Sequence, residues 1–168
     1  MKAAAALLLA AAGFLTGWVL RDRLRQSVRV ADALYRMNAE IGNRLLYLRQ
    51  PLPQITALLS ADSAFAVLPF LADCATQCSA GVSFPQAWQS TASAFLRGQH
   101  LREDRVPLVQ LGVSLTAADG EQIERLLELY AGQFLALRQS AQTALEKTGR
   151  LYLCVCGAGG ILLGILVL

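Results

Sequence analysis

Few residues in this chain have the types and spacing that chemistry requires. Cys74 and Cys78 stand four apart, His100 is the one histidine, Glu103 and Asp104 are adjacent, and Glu121, Glu124 and Glu128 recur at near-helical spacing. Thiols with a histidine suggest a metal site, and paired carboxylates suggest general acid–base work. Neither set closes. A structural zinc site takes four ligands, and residues 21–150 offer no second cysteine pair. Cysteines at i and i+4 of a helix are also poorly placed to form a disulfide with each other. Glu124 and Glu128 share one helix face with Arg125 beside them, the pattern of a solvated surface. His100 sits in the polar stretch RGQHLRED and reads as a surface residue. The only lysines are Lys2 and Lys147, so no phosphate-loop lysine exists, and no GxSxG elbow is present. These absences argue against an enzyme, and no cofactor or metal is expected.

The elements that would position such groups are dominated by the two ends. Mean hydropathy over the 168 residues is +0.43, and the excess lies in residues 3–20 and 151–168, two uncharged runs of 18 residues each. As helices they would be about 27 Å long, just enough for the hydrocarbon core of a bilayer. Both are expected to be transmembrane helices, since lipid leaves no water to satisfy a backbone in other forms. A cleaved signal peptide is the alternative for the first run. The apolar stretch continues through Phe14, Leu15, Val19 and Leu20, with Trp18 at an interfacial level, which favours a retained anchor. Gly13 with Gly17, and Gly160 with Gly164, give each run a GxxxG spacing that lets membrane helices pack closely.

Between the runs, residues 21–150 hold 14 of the 15 Lys and Arg and all 12 acids. That is one domain of mixed charge, and it gives no reason to expect nucleic acid as a partner. Arg21, Arg23, Arg25 and Arg29 follow the first run, and Arg138, Lys147 and Arg150 precede the second. Basic residues mark the cytoplasmic side, so the domain is expected in the cytoplasm with both termini across the membrane. A reducing compartment also suits four unpaired cysteines.

The spacing of apolar residues predicts an all-α, up-and-down bundle of about six helices. The first continues from the first run along Leu24, Val28, Ala31, Leu34, Tyr35, Ile41, Leu45 and Leu48, until Pro51 and Pro53 stop it. A short helix is expected over 53–59. Another starts near Leu68, with Pro69 in its first turn, and ends at Gly81. Ser83 caps a fourth, with Pro85 in its first turn, Trp88, Ala92 and Leu96 inward, and Gly98 at its close. A fifth is expected over 103–111, with Gly112 in the left-handed position that ends it. A sixth starts after Asp119 and carries a stripe of Ile123, Leu127, Tyr130, Phe134, Leu137, Ala141 and Leu145 into the second run.

The corner LGVSLTAADGEQI, residues 111–123, is the one motif these elements leave over. Asp119 can cap the sixth helix, and Gln122 stands three residues on, as in a capping box; Thr116 is a competing cap one turn earlier. Capping does not explain why Leu111, Gly112, Leu115, Asp119 and Gln122 occur together. They resemble the LG-x-x-L-G-x-x-D-x-x-x-Q signature of the stage III sporulation protein AB family. Thr116 stands where that pattern has a second glycine, and the Asp-to-Gln spacing is one residue shorter. FPQAW with Trp88, and NRLLYLRQPLPQI, are similar to further segments of the family, and the resemblance covers essentially the whole chain. It implies a likeness to the cytoplasmic helical domains of the platform F protein of type II secretion and type IV pilus systems. It also implies a non-enzymatic subunit of a secretion-like channel complex in the mother-cell membrane facing the forespore. The partners it implies are the complex's secretion-type ATPase and other membrane components. The alternative reading is a small oligomeric pore or transporter built from the two spans; Thr16, Tyr152 and two cysteines are the only polarity they offer it.

Overall fold

The computed structural model describes the backbone of residues 2–99 and 107–167, and the side chains of 22–99 and 107–147. Six α-helices and no strand occur among the described residues: α1 (Lys2–Leu46), α2 (Leu52–Ala61), α3 (Phe70–Ser79), α4 (Phe84–Gly98), α5 (Leu108–Ala117) and α6 (Gly120–Val167). A single 3-10 turn, Ser63–Phe65, joins α2 to α3, and the Asp62 carboxylate accepts from the Ala64 N–H to start it. The predicted all-helical class is therefore found. Both long helices continue without a break through the described backbone of the predicted spans, residues 3–20 and 151–167. Among the described residues no helix is long and apolar enough to cross a membrane. The predicted spans 3–20 and 151–168, and the glycines Gly13, Gly17, Gly160 and Gly164 within them, lie outside the residues whose side chains are described.

Two compact units form. One comprises Met1–Arg29 with Gln139–Leu168, and the other is Val30–Arg138. In the second, α2, α3, α4 and α5 pack in sequence, each on the next. The last part of α1 and the first part of α6 pair alongside them in antiparallel sense. The Asn38 amide donates to the Leu127 carbonyl at 3.0 Å, Leu127 packs over Gly42, and Arg138 meets Asp32 at 3.0 Å. Residue numbers rise on one helix as they fall on the other. The core is aliphatic and aromatic, with Leu34, Met37, Ile55, Leu71, Leu111 and Phe134 among its fully enclosed side chains.

The helix ends follow from local chemistry. At Gly81, φ is +92°, the Val82 N–H bonds the Gln77 carbonyl and the Gly81 N–H bonds the Cys78 carbonyl. That is a Schellman ending, and no atom lies within 4 Å of where a Cβ would be, so the requirement there is conformational. Ser83 holds the N-cap position of α4 as predicted, but its hydroxyl donates to the Gln86 side chain instead of capping the backbone. After α1, Arg49 turns the chain at φ +50°, which is rare for a residue with a side chain. Leu48, predicted to face inward, lies beyond the helix end and is 61% exposed.

Candidate functional site

The fifth helix corrects the reading of the motif. It runs over Leu108–Ala117, past its expected end at Leu111, so Gly112 lies in its interior and does not end it; residues 103–106 of the expected span lie outside the described residues. Leu108, Leu111 and Leu115 are buried along one face, and Gly112 is buried on that face with them. The indole of Trp88 lies flush against it. A Cβ on Gly112 would stand 2.4 Å from the indole Cδ1 and Cγ and 2.6 Å from Nε1. Real Cβ atoms do not approach neighbours that closely, so the glycine makes room for the ring.

The ring is fixed from several sides. Its Nε1–H donates to the Leu108 carbonyl at 2.8 Å, satisfying the one polar group of a side chain that is 1% exposed. Phe70 meets it edge-on with centroids 5.3 Å apart, and Phe84 lies 5.6 Å away. Trp88 itself sits on α4, whose Ala87, Trp88, Thr91, Ala92, Phe95 and Leu96 are buried at helical spacing. Thr116 donates to the Gly112 carbonyl at 2.7 Å, and Ser114 lies 3.3 Å from the Tyr130 hydroxyl of α6. The Ser114–Tyr130 contact ties α5 to α6, whereas the Thr116 bond lies within α5.

Four of the six singled-out residues thus meet in one place: Trp88, Leu111, Gly112 and Leu115. Asp119 and Gln122 do not join them; both are exposed at the start of α6. The predicted capping box is not made. The Asp119 backbone carbonyl accepts from the Ile123 N–H, but no side-chain cap bond from Asp119 or Gln122 occurs among the described residues. The acids there still lie at the positive end of the α6 dipole.

Titratable groups give little further chemistry. Cys74 is fully buried and Cys78 half-buried, and both are free thiols. Burial, with the Cys78 thiol beside it, pushes the Cys74 thiol up from 9.0 to about 12, so it stays protonated and unreactive. His100, Glu103 and Asp104 lie outside the described residues. The void between Ile41, Ile55, Leu59, Phe84 and Trp88 measures about 10 Å³, room for one water at most. Sequence reasoning missed the polar seam of α1 and α6. Asn38 is buried with its Oδ1 unpartnered, and Asp32 lies between Arg36 and Arg138 at 2.8 and 3.0 Å. The Arg138–Asp32 contact is one of charge rather than an aligned hydrogen bond, and the same guanidinium lies 5.9 Å from the Tyr35 ring centroid. Asp32 and Asn38 on a face otherwise apolar were the available signal.

The arrangement is a tight fit: an aromatic side chain is set against a backbone and its one donor is satisfied. The family model described as Stage III sporulation protein AB matches residues 2–168. No curated protein and no solved structure matches the chain.

Proposed function

The chain belongs to the stage III sporulation protein AB family, and from that premise we propose that it is a membrane-anchored structural subunit of a sporulation-specific, secretion-like channel complex between mother cell and forespore. The observation that carries the proposal is the family match over nearly the whole chain, both apolar ends included. The two uncharged runs are the anchors, and the helical domain between them lies in the cytoplasm, in keeping with the arginines that follow the first run. The domain couples a secretion-type ATPase to membrane components of the complex. It acts as a scaffold and takes no cofactor or nucleic acid.

The lock between Trp88 and Gly112 supports a rigid corner, and it divides the motif by role. Trp88, Leu111, Gly112 and Leu115 are internal and hold the corner. Asp119 and Gln122 are exposed and are the part that a partner can touch. Deleting the protein should block sporulation after engulfment while vegetative growth stays normal; unimpaired spore yield would end the proposal. Purification of the full-length protein from sporulating cells should bring the ATPase with it, and Asp119→Arg should reduce that yield without lowering the amount of protein.

A further inference from the structure

The arginines after the first apolar run have a geometric counterpart. In the unit formed by Met1–Arg29 and Gln139–Leu168, α1 and α6 leave an open cleft of about 520 Å³, lined by Asp22, Arg25, Val28, Arg29 and Leu145. Among the described residues two guanidinium groups face one carboxylate there, beside two aliphatic side chains. Arg29 and Asp22 form a loose pair at 4.0 Å, each 63% exposed. Arg25 has no ion-pair partner among the described residues. The cleft therefore keeps an uncompensated positive charge beside apolar surface.

Its height is set twice over. Arg25 stands five residues after Leu20, and Leu145 six residues before Leu151. At 1.5 Å per residue, the two helices carry these positions about 8 and about 9 Å beyond the apolar runs. The headgroup layer of a bilayer reaches roughly 5–8 Å past the hydrocarbon on each side. Two helices running in opposite senses bring their contributions to one level, within side-chain reach of lipid phosphate. We propose that this cleft binds the phosphodiester headgroup of an anionic phospholipid. Arg25 and Arg29 donate to the phosphate oxygens, a geometry the guanidinium fork suits. Val28 and Leu145 form the apolar wall beside the phosphate. Asp22 competes with the phosphate for Arg29 and so limits the affinity. The proposal rests on the anchored reading given above.

The test uses full-length protein in an uncharged detergent, with native mass spectrometry reading retention of phosphatidylglycerol against phosphatidylcholine. Phosphatidylglycerol should be retained in preference. Arg25→Gln and Arg29→Gln should each lower the preference about fivefold, the worth of one arginine near an anionic surface. Arg25→Lys should keep most of it, and Asp22→Asn should raise it. Arg125→Gln, in the other unit, should leave it unchanged, and all variants should share the parent melting temperature. Equal retention of the two lipids overturns the proposal, as does an equal loss with Arg125→Gln. Complete displacement of phosphatidylglycerol by millimolar inorganic phosphate also overturns it, by showing a site for a soluble anion. Carbonate extraction of membranes separates the two readings: a protein stripped by carbonate removes the anchor, whereas one that resists carbonate but shows no lipid preference removes only the cleft.

Discussion

Gly112 and Gly132 are both helical glycines, and alanine should move stability in opposite directions at the two. At Gly112 the added methyl meets an indole held by a hydrogen bond and two phenyl rings, so the ring cannot yield cheaply. Gly112→Ala should cost about 1–3 kcal/mol, as overpacking does. At Gly132 nothing lies within 4 Å, and Gly132→Ala should gain about 0.5–1 kcal/mol by restricting the unfolded chain. Melting temperatures of the full-length protein in detergent check both. Trp88→Phe removes the donor and shrinks the ring, so its cost and that of Gly112→Ala should combine less than additively. The thiols make a separate prediction. Cys74 holds its proton to about 12, so maleimide at neutral pH should modify Cys78 well before Cys74. The raised value also fixes a sign. Below the ordinary 9.0 the folded and unfolded states are both protonated and the contribution is fully present; above 9.0 the unfolded thiol ionises first, and the contribution is lost as pH rises toward 12. Trp88 and Gly112 were legible in the sequence as special residues, but not as a pair. Leu108, Leu111, Gly112 and Leu115 share one helical face, which is a sign of close approach, but a glycine after an apolar run more often marks a helix stop.

At the scale of elements, the signals for where helices stop were local and mostly sufficient. Gly81 ends α3 through a left-handed turn, whereas α1 stops at Leu46, ahead of the prolines expected to stop it, and Pro51 and Pro53 instead start α2 as its N-cap and first-turn residues. Gly81→Ala should cost about 1 kcal/mol, because a Cβ is strained at that φ even with open space around it. Asp119 differs. Without a side-chain cap bond it contributes only through the helix dipole, so Asp119→Ala should cost about 0.3–1 kcal/mol, at or below the usual value of a cap. A thermal shift read alongside Gly81→Ala, with the smaller loss expected for Asp119→Ala, checks the order. The pairing of α1 with α6 depends on residues that no local rule singles out. Asn38 bonds the Leu127 carbonyl and Gly42 receives the Leu127 side chain, so the two contacts together hold one register. Polar groups inside a helical seam are the usual device for that purpose.

For the whole molecule, the expected outcomes of deletion and co-purification test the scaffold, and lipid retention tests the cleft. The sequence by itself determined the helical class, the two uncharged ends and the long stripe of α6, of which Leu127, Tyr130 and Phe134 are buried and Ile123, Leu137, Ala141 and Leu145 partly so. It also carried the family resemblance, which the match over residues 2–168 bears out. These are properties of composition and period, fixed by near neighbours along the chain. The tertiary structure alone decided which motif residues act together. Trp88 and Leu108 are 20 positions apart, and Asn38 and Leu127 are 89 apart. Contacts across such separations depend on how whole helices pack, and packing at core density is specific to single atoms in a way that hydrophobic periodicity is not.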